Sequence, residues 1–451
     1  MLARVRRGNQ RRAPKKKSVR RHLARERNTN LRWNGKKMCV GPPTVDISRR
    51  PRVVHVVTSD LAVKLMRGQL QYLAHNGFDV TVICSPGKWV EAVGRREGVQ
   101  FIELPMAREI APLRDLMSLW RLCRIIRTLR PAVTNVGTPK AGLLAGFAAW
   151  VNRVPCRIYT LRGLRFETMN GLKRRLLVYT ERLACHFADR VICVSPSLRE
   201  KAIAFGLTGR DRTVVFGSGS SNGVDASRFA STPERVRQAA ELRRKLGIPP
   251  QAPVLGFVGR LTRDKGISEL VESFLRLGHE FPDLRLLLLG LAEEEDLLDL
   301  KTRTCLKTHP RVVLAGEVAD TAPYYALMDV LVLPSHREGF PNVVLEAYAA
   351  GKPVVAARAT GIVDAVVNGE TGLLFPIGDV AALTSALQRL LRDKASAHKF
   401  GCAGQELIKR EFRQEMIWEA LNEEYRRMHL NEGSVTADGV DDGGVRFESG
   451  N

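Results

Sequence analysis

The sequence predicts an α/β protein made of two tandem Rossmann-like, doubly wound domains that face a cleft. Two observations predict it. Short β-branched apolar runs alternate with helix-length segments along most of the chain, and the alternation breaks once, at GSGSSNGVDASRF (217–229), before it restarts. A strand–helix alternation implies a parallel sheet covered by helices on both faces. A cluster of Gly, Ser and Asn between two such series reads as a linker.

The first series opens with RVVHVV (52–57), a buried strand, and a helical stretch to about Asn76 that Gly77 stops. The strands DVTVICS (79–85) and FIELP (101–105) follow, then the amphipathic helix LRDLMSLWRLCRIIRTL (113–129). AVTNV (132–136), CRIYTL (156–161) and RVICVS (190–195) complete the series. The second series has the strand PVLGFVGR (253–260), a helix over 266–281, and the strands LRLLLLG (284–290), VVLAGEV (312–318), DVLVLP (329–334) and PVVAA (353–357). A last amphipathic helix covers 410–430. The expected boundaries are a basic disordered extension 1–50, an N-terminal domain 51–225, a C-terminal domain 226–410, a cross-over helix 411–430 and a disordered tail 431–451.

Composition narrows the function classes. The chain has 451 residues and a net charge of +24, of which residues 1–50 carry +15 and residues 431–451 carry −4. The basic head has no hydrophobic periodicity and no interleaved aromatics. It therefore reads as a solvated tail or as a segment that meets anionic lipid, rather than as a nucleic-acid binder. The longest apolar run, AGLLAGFAAWV, has 11 residues, against about 20 for a membrane span. The N-terminus lacks the apolar core of a signal peptide. Eight cysteines are scattered without a C-x-x-C and read as reduced core residues of a cytosolic protein. No G-x4-G-K-[ST] occurs and no G-x-G-x-x-G follows the first strand, which argues against a Walker loop and against NAD.

Two constellations carry chemistry. In EGFPNVVLE (338–346) two acids flank a strand-to-helix turn. Glu338 falls on the loop after a strand and Glu346 about one turn into the next helix. A helix starting near Pro341–Asn342 turns free backbone N–H groups toward the cleft, and Gly339 permits close backbone approach. Carboxylates at this spacing suit a polyhydroxyl ligand, or else are ordinary solvated acids. In GRLTRDKG (259–266), Arg260 and Lys265 sit on the loop after a strand, with Gly266 at the start of the next helix. Two cations beside a helix N-terminus suit a diphosphate, or else form a plain basic loop.

Together these stretches resemble the retaining glycosyltransferases of the GT-B fold, family 4 (glycosyl transferases group 1). The resemblance rests on NGVDASRF (222–229), FVGRLTRDKGISELVESF (257–274), VVLAGEV (312–318), PSHREGFPNVVLEAYAAGKPVVA (334–356) and GIVDAVVNGETGLLFPIGD (361–379). TPKAGLLAG (138–146), YTLRGLRFE (159–167), GLKRRL (171–176) and ADRVICVSPSLRE (188–200) are similar to a branch that builds capsule, O-antigen or exopolysaccharide.

The resemblance implies transfer of a sugar from a nucleotide sugar, UDP-linked, to a lipid-linked or polysaccharide acceptor with retention. It implies that Glu338, Arg260 and Lys265 are catalytic. It also implies that Gly259, Arg260, Lys265, Glu338, Gly339, Phe340, Pro341, Asn342, Val343 and Glu346 bind the donor, with Glu346 on the ribose. The acceptor side falls to Thr138, Lys140, Arg162 and Arg165. No cofactor is implied beyond the nucleotide sugar as co-substrate, and no metal, in keeping with the absence of D-x-D from 51–430. Expected partners are the donor, the acceptor and an anionic membrane surface at the inner face of the cell membrane, with no nucleic acid.

The chain departs from the family pattern at Gly137 and Arg162, where many relatives have His, and at TSDLAVK (58–64), where they have a Gly-rich loop. Arg162 and Arg165 read either as an exposed pair or as contacts to donor or acceptor phosphate. The basic helix 171–187 reads either as a sheet cover or as a lipid contact. A catalytically inactive nucleotide-sugar-binding protein and a GT-B-fold nucleotide-sugar epimerase are the competing readings.

Overall fold

The structure is a computed structural model that describes residues 50–107, 111–292 and 298–435, which fall in one compact unit. The basic head before Arg50 and the tail after Val435, both expected to be disordered, lie outside the described residues.

Thirteen strands form two sheets among the described residues. The first holds β1 (Arg52–Val56), β2 (Asp79–Cys84), β3 (Gln100–Glu103), β4 (Val133–Val136), β5 (Cys156–Leu161), β6 (Arg190–Cys193) and β7 (Thr213–Val214), in the order β3-β2-β1-β4-β5-β6-β7. The second holds β8 (Val254–Val258), β9 (Arg285–Leu289), β10 (Val312–Gly316), β11 (Val330–Leu333), β12 (Val354–Ala357) and β13 (Gly372–Phe375), in the order β10-β9-β8-β11-β12-β13. Every pairing is parallel, with β1 joined to β2 and β4, and β8 joined to β9 and β11.

The β-branched runs explain the layers. Strand neighbours point to opposite faces, so Val54, Val56 and Ile83 enter one core with Leu122, Ile126, Leu144 and Ala145 of the covering helices Pro112–Leu129 and Pro139–Val151. Val53, Val57, Val80 and Val82 enter the other core, with Leu70 and Leu73 of the helix Gln69–His75. Because both faces are covered, adjacent residues such as Val53 and Val54, or Val82 and Ile83, are both apolar and buried instead of alternating with polar ones.

In an open parallel sheet, ligands bind outside the strands' carboxyl ends, where the strand order reverses. Here the reversals fall between β1 and β4 and between β8 and β11. The loops after β8 and β11 are those that carry Arg260, Lys265 and Glu338.

Several boundaries differ from the sequence reading. The helix expected up to Asn76 is two helices, Asp60–Lys64 and Gln69–His75, parted at Gly68, whose φ is 79°. The C-terminal helix runs over Gln414–Val435 rather than 410–430, because Glu411 closes a preceding helix, Lys394–Glu411. Between the two helices, Val224 N–H donates to Phe412 O at 2.9 Å and Val224 bridges Arg413. The stretch 217–229, read as a linker, is thereby tied down; Ser218 Oγ also donates to Glu411 at 2.7 Å.

The helix Gln414–Val435 returns to the first sheet. Ile417, Leu421 and Tyr425 join the core that contains Val53 and Val80. Trp418 Nε1 donates to Asn222 Oδ1 at 2.7 Å, which fixes the helix against the connection between the two sheets.

Candidate active site

The loop after β8 passes through Gly259 and Arg260 into a 3-10 turn, Arg263–Lys265, and then Gly266 starts the helix Ile267–Leu277. Gly266 has φ 70°, and a Cβ there would stand 2.2 Å from Pro334 O. That close approach brings the loop after β8 against the loop after β11. It places Lys265 Nζ 2.5 Å from Glu338 Oε1, with both side chains mostly buried.

Polar bonds hold this junction rigid. Asp264 accepts from Thr262 Oγ1 at 2.6 Å and from Arg337 at 2.7 Å, and Asp264 O accepts the His336 N–H at 2.9 Å. Burial alone would raise the Asp264 carboxyl; the Thr262 bond and the charges of Arg337, Lys265 and Arg260 hold it below its ordinary value. His336 Nε2 lies 2.7 Å from Glu269 Oε1, and that bond lifts the imidazole above its ordinary value against the effect of burial.

The GFPN segment joins the two sheets. Ser195 Oγ, just after β6, donates to Gly339 O at 2.8 Å. A Cβ on Gly339 would lie 2.0 Å from Arg162 O, so only glycine fits between the sheets at this point. Phe340 packs against the cores of both sheets and against Phe412, with ring centroids 5.4 Å apart. Pro341 caps the helix Asn342–Ala349. Asn342 Oδ1 accepts from Ser220 Oγ at 3.3 Å, and Val343 is partly exposed beside it.

Glu346, on the first turns of that helix, is half-buried. Burial raises its carboxyl, opposed by the Tyr325 hydroxyl and the Arg228 charge. Arg228 is itself held by Asp320 at 2.7 Å, with Arg235 bracing the same carboxylate at 3.3 Å. Across the cleft, Lys88 reaches Glu317 at 2.6 Å and Lys64 reaches it at 3.9 Å. Lys64 also lies over the Trp89 ring, 3.7 Å from its centroid.

The candidate acceptor-side residues scatter. Thr138 Oγ1 accepts from Thr58 Oγ1 at 3.1 Å, at the reversal point of the first sheet. Lys140 pairs with Asp115 at 2.7 Å. Arg165 is exposed on a 3-10 turn. Arg162 is no exposed partner of Arg165: its Nε and Nη1 are buried.

The sequence reading missed Arg228, Asp320, Asp264, Arg337 and Ser195 as parts of this junction. Their partners lie up to 169 residues away, as for Arg337 and Thr168, and no local pattern announces such contacts.

Two family profiles cover this architecture: "Glycosyl transferase 4-like domain" over residues 62–219 and "Glycosyl transferases group 1" over residues 252–393. The capsular polysaccharide biosynthesis glycosyltransferase CapM of Staphylococcus aureus is 35% identical over 377 residues, covering 84% of this chain and 97% of CapM. The chain belongs to the group 1 glycosyl transferases.

Among other relatives of this glycosyltransferase, the Escherichia coli UDP-Gal:alpha-D-GlcNAc-diphosphoundecaprenol alpha-1,3-galactosyltransferase is 26% identical over 351 residues, covering 76% of this chain and 88% of that one. Anabaena Alr3699/HepE, solved with UDP and glucose, shares the fold with a TM-score of 0.70 at 20% identity, over 83% of this chain and 99% of that one. WaaG, a glycosyltransferase involved in lipopolysaccharide biosynthesis, aligns with a TM-score of 0.64 at 14% identity, over 82% and 98%. The two-sheet arrangement of this glycosyltransferase is thus the GT-B fold.

Proposed function

We propose that this glycosyltransferase moves a sugar from a UDP-linked donor to a lipid-linked or polysaccharide acceptor in cell-surface polysaccharide assembly, with retention and without a metal. The observation that carries the reading is the Lys265–Glu338 pair at the reversal point of the second sheet. The names of the relatives, one in capsule assembly and one acting on a diphosphoundecaprenol sugar, support the polysaccharide pathway and the lipid-linked acceptor.

An ammonium has three donors. One of Lys265's goes to Glu338, and the other two, with the fork of Arg260, serve the donor diphosphate. Glu338 accepts from the sugar hydroxyls with its second oxygen, and Glu346 from the ribose pair. The acceptor hydroxyl attacks the anomeric carbon on the face from which the diphosphate leaves. The new C–O bond forms as the bond to phosphate breaks, and the hydroxyl proton passes to the departing phosphate oxygen. Lys265 and Arg260 stabilise the charge that develops there, the electrostatic work a divalent ion does in other enzymes.

The acceptor approaches past Thr138, Lys140 and Arg165. Two helices on the first sheet support attachment to the membrane surface. On Gly171–His186, Leu172, Leu176 and Tyr179 are exposed beside Lys173 and Arg175. On Pro112–Leu129, Leu113, Leu116, Met117 and Trp120 are exposed, Leu113 at 84%. Their spacing of three, four and seven residues forms one stripe. Both helices pack on Pro139–Val151, and an apolar stripe rimmed by cations suits the headgroup boundary of an anionic bilayer.

A panel of nucleotide sugars, assayed for nucleoside diphosphate release with and without membrane extract, tests the reading. Release from a UDP-sugar that rises when extract is added is the expected result. No release from any donor contradicts it.

A further inference from the structure

Arg162 follows β5 directly, and its side chain turns back between the first sheet and the C-terminal helix. There it lines a cavity of about 20 Å³ with His55, Asn135, Thr160, Ser220, Ile417 and Leu421. Nε and Nη1 are buried, and no protein acceptor among the described residues meets either.

The neighbouring polar groups are already committed to one another. Thr160 Oγ1 donates to Asn135 Oδ1 at 2.8 Å, Asn135 Nδ2 donates to the Tyr425 hydroxyl at 2.7 Å, and that hydroxyl lies 3.4 Å from His55 Nε2. Burial and the Arg162 charge push His55 down to about 3, so it is neutral at physiological pH. Burial pushes Arg162 down to about 10, which leaves it charged there. Burial lowers it and the Tyr425 hydroxyl opposes that effect.

A buried charge left without a partner is strongly unfavourable. Nature's usual answer is a paired carboxylate, as at Lys265. Here Nε and Nη1 meet no carboxylate among the described residues, while the fold supplies a cavity against the guanidinium. A water-sized guest needs about 10–15 Å³, so one small guest fits. A water satisfies the N–H groups but leaves the charge uncompensated. A monatomic anion does both.

We propose that Arg162 holds a buried monovalent anion, chloride under physiological conditions, between the first sheet and the C-terminal helix. The site bears on the donor loop through the backbone, because Arg162 O, Arg162 C and Gly163 N are the atoms nearest to where a Cβ on Gly339 would stand. Arg162 thereby becomes a positioning residue: the anion fixes the segment 162–163 on which Gly339 rests.

The test replaces chloride by gluconate at constant ionic strength. Wild type should melt at a higher temperature in chloride, with a saturable dependence on its concentration. The difference should vanish in Arg162→Met, which keeps the length of the side chain and removes the charge. Crystals of the wild-type chain grown in bromide should show an anomalous peak within hydrogen-bonding reach of Arg162 Nε or Nη1, a readout that does not depend on the variant folding. Nucleotide-sugar turnover should follow the same halide dependence in KM rather than in kcat. Equal melting in both salts, a salt difference that persists in Arg162→Met, or bromide crystals with no peak at Arg162 would each overturn the proposal.

Discussion

Lys265 Nζ and Glu338 Oε1 lie 2.5 Å apart although 73 residues separate them in the chain. The two residues come from the loops after β8 and β11, the neighbouring strands at which the second sheet reverses its order. The pair therefore stands where an open α/β sheet binds its ligand.

A double-mutant cycle measures this pair. Lys265→Met and Glu338→Gln should each destabilise the protein, because each leaves a mostly buried charge without its partner. The double variant should recover part of the loss, with a coupling of about 0.5–3 kcal/mol. Denaturant melts of the four proteins give the coupling; additive losses mean that the pair contributes nothing to the fold.

Gly339 should tolerate no side chain. A Cβ there would lie 2.0 Å from Arg162 O, so Gly339→Ala must part the loop from the first sheet. Turnover should fall by at least tenfold while the melting temperature changes little, because the clash lies between the sheets and not inside either core. Turnover equal to wild type refutes the close packing of these two segments.

The His336–Glu269 contact predicts a pH dependence of stability. A His whose folded value is raised above its ordinary 6.5 contributes stability that is full below that value and lost as pH rises through the folded one. Wild type should therefore lose melting temperature more steeply than His336→Asn as pH rises above the ordinary histidine value of 6.5. Parallel curves for the two proteins rule out the contribution.

The proposed membrane attachment draws on both the head and the folded part. Deleting residues 1–50 removes a net charge of +15 and should weaken sedimentation with anionic vesicles in a salt-sensitive way, at about 1 kcal/mol for each basic residue at the surface. Leu116→Ser with Trp120→Ser should weaken it in a salt-insensitive way, because that stripe contributes apolar contact. Binding unchanged by both alterations contradicts a membrane role for either segment.

Much of the fold was legible in the sequence, because buried parallel strands are written as short β-branched runs. RVVHVV, DVTVIC and VLVL each became strands buried on both faces. GLLF (372–375) became a strand too, but it is short and follows a Gly-rich turn, and periodicity does not separate such a run from a loop. The end of the helix Lys394–Glu411 was hidden because the break at Phe412–Arg413 is made by pairing with Val224, a contact across nearly 190 residues. At the site, Glu338, Lys265 and the GFPN turn were legible as loop chemistry. Their union was not, nor was the burial of Arg162, since both depend on which loops the sheet order brings together.

Removing metal tests the charge stabilisation assigned to Arg260 and Lys265. Turnover in EDTA should stay close to that of the untreated enzyme, because in the proposed mechanism side-chain cations carry the leaving diphosphate. A complete loss that Mg²⁺ or Mn²⁺ restores contradicts the metal-free mechanism.

The central claim is that one donor spans Glu338 and Glu346. Calorimetry of nucleoside diphosphate binding, run alongside nucleotide-release turnover on Arg260→Ala, Lys265→Ala, Glu338→Gln and Glu346→Gln, tests it most directly. A hydrogen bond to a charged group is worth about 1.5–3 kcal/mol, or roughly 10- to 150-fold. The account predicts a loss of that size in turnover for Glu338→Gln with near-normal diphosphate affinity, and in affinity itself for Glu346→Gln. Arg260→Ala and Lys265→Ala should weaken the nucleoside diphosphate while leaving a bare nucleoside unaffected. Both glutamate variants binding and turning over like wild type would contradict it, and EGFPNVVLE would then be a strand-to-helix turn and nothing more.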